Sequence, residues 1–267
     1  MHKVVLKISN FQIALCSEAA GLVDNVREMF KNYTVDDEHF DAVLQVDITD
    51  MRQYVREEAL PFPGFSKDTI HTNYIYAGAY DPTSKKAKLL TNTSNAYPFT
   101  EEYLMVLTSY VCLDFGKVLF HCAALCNDQN ELFLFYGPSG IGKSTTARNF
   151  SKDLHLISDD LVILEPAGDG RLKVYKTPFT RDKSNDKENE QTYILKGLYR
   201  IHQGAEVQKE EMGKTEAVLS FLGNIWALHK HPHLLRRYLA LGKDIVEGVP
   251  TYNLHLKKQT RFEEILK

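Results

Sequence analysis

The sequence predicts an α/β protein in two units, and three observations carry that expectation. Short apolar runs alternate with segments of helical period along the whole chain. A glycine-rich octet, Gly137-Pro138-Ser139-Gly140-Ile141-Gly142-Lys143-Ser144, stands between an apolar run and a helix-compatible segment. Near residue 97 the composition changes, and Pro98-Phe99-Thr100-Glu101-Glu102 reads as a helix start with Thr100 as N-cap. An N-terminal α/β accessory or docking domain is therefore expected over 1–97, and a second domain, carrying the glycine-rich octet, over 98–267.

The elements follow in order. Val4–Leu15 reads as a strand or a hairpin, and Leu22–Phe30 as a helix with Val26 and Phe30 on one face. Val43–Ile48 alternates like a half-buried strand. Tyr74–Ala77 and Ala87–Leu90 flank the turn Asp81-Pro82-Thr83-Ser84. A helix from Thr100 to about Phe115 leads to a strand, Val118–Leu125, carrying His121. Asp128-Gln129-Asn130 turns the chain into the strand Leu132–Tyr136, and the octet then runs into a helix ending near Phe150. Leu156–Leu164 is two apolar pieces around Asp159-Asp160, and Gly168-Asp169-Gly170 turns into Leu172–Tyr175. After Thr177-Pro178-Phe179-Thr180-Arg181, the polar stretch Asp182–Gln191 is a mobile loop by composition. Tyr193–Ile201 resumes as a strand, and Lys214–Leu219 and His233–Leu241 read as helices. Val249–Leu256 alternates like a strand, with Pro250 placing it at an edge. Thr260–Leu266 reads as a closing helix, with Thr260 and Glu263 spaced for a capping box.

Composition narrows the function classes. A net charge of −3 over 267 residues gives no global field toward nucleic acid or anionic lipid. The longest apolar stretch, Tyr103–Cys126, is interrupted by Asp114, Lys117 and His121, so no membrane span is expected. The first residues carry no long apolar core of a signal peptide. Cys16, Cys112, Cys122 and Cys126 form no C-x-x-C, which argues against a zinc or redox centre and for a reducing, cytoplasmic setting. His229, His231 and His233 are interrupted by Pro232 and read as a solvated loop.

The octet fits G-x-x-x-x-G-K-[ST], a phosphate-cradling loop. Its glycines let successive N–H groups turn toward one phosphate, and the following helix adds its positive dipole end. Gly137, Pro138, Ser139, Gly140, Ile141, Gly142, Lys143, Ser144 and Thr145 are the nucleotide-binding candidates. Lys143 is placed to reach the β- and γ-phosphates of ATP, and Ser144 to ligate Mg²⁺. Asp159 and Asp160 are the carboxylates best placed to complete the site. One would help hold Mg²⁺, for which Asp160 is named beside Ser144, and the other would take a proton from an acceptor hydroxyl. Arg181 is a candidate clamp for a phosphate or a substrate carboxylate.

Three stretches together carry a family resemblance. They are Leu119-Phe120-His121-Cys122-Ala123-Ala124-Leu125, the run Leu134–Ser144, and Leu156-Ile157-Ser158-Asp159-Asp160. In this order they resemble the HPr kinase/phosphorylase family, and more closely the HPr-kinase-like enzymes of ribosomal-peptide biosynthesis, including the lasso-peptide kinases. Thr177-Pro178-Phe179 and Val249–Leu254 are similar to that group as well. The likeness covers about residues 117–265. It implies a P-loop core with a mixed sheet, of the type shared with phosphoenolpyruvate carboxykinase, and a His121 lying near the catalytic aspartate. It also implies a homo-oligomer and an acceptor serine in a peptide or small protein. Thr145-Thr146 stands where HPr kinases usually have Glu after the Ser, and their downstream Gly-rich signature is absent, so the expected acceptor is not HPr. Two alternatives stand beside the kinase: a nucleotide-dependent switch with slow hydrolysis, and an enzyme acting on a small molecule.

Overall fold

The computed structural model describes residues 1–54, 62–66, 69–72, 76–180, 191–226 and 232–266. The chain packs into two compact units, Met1–Val111 and Cys112–Lys267. Each holds one mixed sheet, so the expected α/β class is met. No helix among the described residues is long and apolar enough to cross a membrane.

In the first unit, β1 (His2–Ile8) and β2 (Phe11–Ser17) form a hairpin about Ser9-Asn10, with Ser9 at φ 59°. Helix α1 (Ala20–Met29) lays Leu22, Val23 and Val26 inward, the face its helical period marks. Strands β3 (Thr34–Val35), β4 (Ala42–Ile48), β5 (Ile70–Thr72), β6 (Tyr76–Asp81) and β7 (Lys86–Thr91) complete a sheet of order β3-β1-β2-β4-β7-β6-β5. Of the expected strand Tyr74–Ala77, Tyr74 and Ile75 lie outside the described residues. The Asp81 carboxylate closes the turn by accepting from the Thr83 N–H at 2.9 Å and the Ser84 hydroxyl at 2.5 Å. Helix α2 (Ala96–Asp114) begins four residues before the expected N-cap. Thr100 therefore lies inside it, and its hydroxyl donates to the Ala96 carbonyl one turn back at 2.5 Å. Pro98 falls in the first turn, where a missing N–H costs nothing. As far as Val111, α2 belongs to the first unit. It stands close on β6, for a Cβ added at Gly78 would lie 2.1 Å from the Tyr103 ring.

The second unit is built on β8 (Val118–Cys126), β9 (Glu131–Tyr136), β10 (His155–Ser158), β11 (Leu161–Pro166), β12 (Arg171–Lys176), β13 (Gln191–Gln203), β14 (Gln208–Glu211) and β15 (Thr251–Leu256). Strand β9 pairs with β8 and with β13, so the pairings β8–β11–β12–β13–β9 close on themselves. Closure is possible because β8 and β13 are long enough to change partners along their length. Gln191 opens β13, contrary to its assignment to a loop, while residues 181–190 lie outside the described residues. Strand β15 lies between β13 and β14 rather than at an edge. Pro250 precedes the strand, so its missing N–H removes no rung of the ladder. The edge is β14, whose sequence Gln-Lys-Glu-Glu carries no apolar signal.

Helix α3 (Lys143–Phe150) follows the glycine octet and seats Ala147 and Phe150 among Phe135, Tyr199, Ile201 and Phe262. Helices α4 (Lys214–Leu222) and α5 (Pro232–Val246) complete the unit. The expected closing helix is one 3-10 turn, Phe262–Glu264. There Glu264, not Glu263, reaches back to the Arg261 N–H at 2.8 Å.

Candidate functional site

The glycine octet is held at both ends by apolar structure. β9 buries Leu132, Phe133, Leu134, Phe135 and Tyr136, and α3 is pinned by Phe150, whose ring meets Phe135 at 5.1 Å and Phe262 at 5.6 Å. Between these anchors the backbone turns at Gly137, Gly140 and Gly142, with φ of 149°, 79° and 120°. An L side chain rarely adopts such values. At Gly137 space is also short, since an added Cβ would stand 3.2 Å from Ile141 Cγ2 and 3.3 Å from the Ile201 carbonyl.

Lys143 is the first residue of α3 and is buried. Its ammonium turns into the loop, donating to the carbonyls of Gly137 at 2.9 Å and Pro138 at 3.1 Å. Pro138, Ser139 and Gly140 are exposed, as is Thr145, while Ile141 and Ser144 are half-buried. The loop thus presents solvent-facing backbone around a fixed, internally held cation.

Asp159 and Asp160 occupy the bend between β10 and β11, both half-buried. Sheet register places this bend beside the loop. Tyr136, the residue before Gly137, pairs with Cys122, and the Cys122 N–H donates to the Asp160 carbonyl at 2.9 Å. Two strand spacings, about 10 Å, separate the Asp160 and Tyr136 backbones. The buried Cys122 thiol lies within the field of both charges. Burial pushes it well above its ordinary value, the Lys143 ammonium pulls it down and the Asp160 carboxylate pushes it further up.

His121 sits on β8 in register with Leu161, and its Nε2 lies 3.2 Å from Asp160 Oδ1. Its backbone N–H donates to the Asn224 carbonyl at 3.1 Å, and its ring meets the Trp226 ring edge-on at 6.1 Å. The two partners are 23% exposed each, reachable but not solvated freely. Asp159 makes no side-chain hydrogen bond or ion pair among the described residues. The adjacent carboxylates therefore differ: one is tied to a histidine, the other is not.

Of the residues expected from sequence, the octet, Thr145, His121, Asp159 and Asp160 are brought into one neighbourhood, and Arg181 lies outside the described residues. His229 and His231 lie outside them too. All four cysteines are free, and Cys112, Cys122 and Cys126 are buried, as small apolar residues would be. Among the described residues no group of three or more His, Cys, Asp or Glu is placed to hold a metal. That donor set is short of a cage, but Mg²⁺ takes only one or two carboxylates when phosphate oxygens complete its shell.

Other neighbours were missed. Asn224 and Trp226 extend β8 on the side opposite β11, through the bridge Phe120–Ile225. Nothing in their sequence marks this, because the pairing depends on where α4 ends. Arg200 stands out in the sequence as a cation inside the apolar strand Tyr193–Ile201. A comparison with protein-family models and with curated proteins finds no match to this chain.

Proposed function

We propose that this chain is a P-loop kinase of the HPr-kinase-like type, transferring the γ-phosphoryl group of ATP to a Ser or Thr hydroxyl of a peptide or small protein. The observation that carries the reading is the Asp160–His121 pair, set by sheet register beside a glycine loop that encloses a buried lysine. A loop alone fits any nucleotide-binding protein. A histidine-linked carboxylate next to it fits transfer to an alcohol.

The residues present fit ATP and Mg²⁺. Positive-φ glycines and exposed loop backbone suit phosphate oxygens, Lys143 supplies the cation, and Ser144 with a bend carboxylate supplies oxygen donors. ATP bound there would supply the phosphoryl group, and Mg²⁺ held by Ser144 and a bend carboxylate would supply charge neutralisation to its phosphates. Asp160 accepts the proton of the acceptor hydroxyl as that oxygen attacks, and ADP departs. His121 orients the Asp160 carboxylate through Oδ1. Asp159, on the same bend, would then serve the metal in place of Asp160, which the sequence sets beside Ser144. The four free thiols fit a reducing compartment, so the cytoplasm is the proposed location. The first unit serves as a docking module.

The test is the fate of label from γ-labelled ATP in the presence of an oriented library of serine peptides. Kinase activity puts label on peptide in step with ADP. Label appearing only as free phosphate would replace this reading with that of a nucleotide-dependent switch.

A further inference from the structure

Arg200 is a charge whose presence the fold does not explain. Its strand neighbours Tyr199 and Ile201 are buried in the core beneath α3. Successive side chains on a strand point to opposite faces, so Arg200 faces away from that core. There it lines a cavity of about 710 Å³ together with Pro138, Glu216, Ser220 and Asn224. The guanidinium belongs to a half-buried residue and makes no hydrogen bond or ion pair among the described residues. Its influence is felt only through space, lowering the Tyr136 hydroxyl's pKa against the stronger upward push of burial. Glu216, the one carboxylate among the described lining residues, makes no ion pair with it. Glu216 instead accepts from Asn253 Nδ2 at 3.0 Å, and Asn253 Oδ1 is in turn 2.9 Å from His202 Nε2.

Partial burial of an unpaired guanidinium is unfavourable, and an aliphatic residue would suit the strand better. A planar fork of donors facing a cavity matches an anion with two oxygens. The place of the cavity says which anion. One wall is Pro138 of the glycine loop, and another is Asn224, whose carbonyl holds the His121 N–H. It therefore lies beside the glycine loop and beside the segment that pairs with His121. It also shares Thr215 and Leu219 with a groove of about 560 Å³ between α4 and α5. That groove is flanked by apolar side chains left in water, Leu219 at 61% and Leu239 at 47% exposure. A cavity continuous with an apolar groove is longer than a small metabolite and suits an extended chain.

We infer that Arg200 is a specificity-determining residue of the acceptor site, binding one carboxylate of an acidic side chain close to the hydroxyl that is phosphorylated. Apolar residues of the same peptide lie along α4 and α5. Glu216 limits the cavity to a single negative charge by repelling a second. This inference rests on the kinase reading above, and its test is a binding measurement that needs no turnover.

Fluorescent serine peptides that differ only in Glu, Gln or Lys beside the serine, each with an apolar segment, are titrated into the full chain with ADP and Mg²⁺. Binding of a fluorescent ADP analogue is measured in parallel. The wild type is expected to prefer the Glu peptide over the Gln peptide by roughly tenfold, the size of one charge-assisted hydrogen-bonded contact. Arg200→Gln should bring the two within about twofold, and Arg200→Glu should turn the preference toward Lys, with ADP affinity unchanged in both. Binding indifferent to charge, no binding of any peptide, or a Glu preference kept by Arg200→Gln would overturn the inference. Weaker ADP binding in Arg200→Gln would also overturn it, by assigning Arg200 to the nucleotide. Failure of the wild type to bind the ADP analogue would instead sink the P-loop reading, and this inference with it.

Discussion

Replacing Lys117 by Met tests the frame that holds β8 against β11. Lys117 is 1% exposed, and its ammonium lies 2.8 Å from Glu165 Oε2 and 4.0 Å from the centre of the Tyr175 ring. It precedes β8, and Glu165 lies near the end of β11, so the pair closes one end of the ladder that sets Leu161 opposite His121. Met conserves most of the volume and removes the charge. Breaking a buried pair from one side costs about 3–5 kcal/mol, because a charge is left without its partner. Here Glu165 keeps the Tyr175 hydroxyl at 2.6 Å and Lys173 at 3.9 Å, and it is 24% exposed, so the low end applies, about 3 kcal/mol. With a urea m-value of about 2–3 kcal/mol per molar, the unfolding midpoint falls by about 1–1.5 M. The pH dependence supplies a second readout. Burial raises the Glu165 pKa, but the hydrogen bonds from Lys117 and Tyr175 and the two lysine charges outweigh it, leaving the group below the ordinary carboxylate range. A depressed folded value contributes stability above the unfolded pKa of about 4.3 that disappears as pH falls through the folded value. The gap between wild type and Lys117→Met should therefore narrow between pH 6 and pH 3. An unchanged midpoint at pH 7, or a gap that widens in acid, refutes the reasoning.

Two glycine substitutions probe the units separately. Gly78→Ala drives a Cβ to 2.1 Å from the fully buried Tyr103 ring, and the loss should reach the upper end for an overpacked core, about 3 kcal/mol, read by thermal unfolding of the transition involving the first unit. Gly137→Ala adds left-handed strain to a crowded contact, so ADP affinity, measured with a fluorescent analogue, should drop by at least about tenfold while far-ultraviolet circular dichroism stays unchanged.

Most strands with an apolar alternation were legible, because burial on one face writes period two into the sequence. β14 and β3 were not, since a four-residue polar strand and a two-residue strand carry no such period. The start of α2 is not fixed by the sequence, because Pro and Thr suit both a cap and a first turn. The octet and the Asp159-Asp160 bend were readable from local spacing. Their proximity was not, for it depends on β8 pairing with β9 on one side and meeting the β10–β11 bend on the other. Lys117 reads in the sequence only as a break in an apolar stretch. Its carboxylate partner is 48 positions away and is found only through strand pairing.

The central claim, that the Asp160–His121 pair serves phosphoryl transfer at the loop holding Lys143, is tested most directly by single-turnover transfer from γ-labelled ATP to a serine-peptide library. Wild type, Lys143→Met and Asp160→Asn are compared, with nucleotide binding measured alongside. The account predicts that Asp160→Asn binds nucleotide nearly as the parent does yet transfers label at least about a hundredfold more slowly. It predicts that Lys143→Met loses transfer altogether. Parental rates in both variants would contradict it.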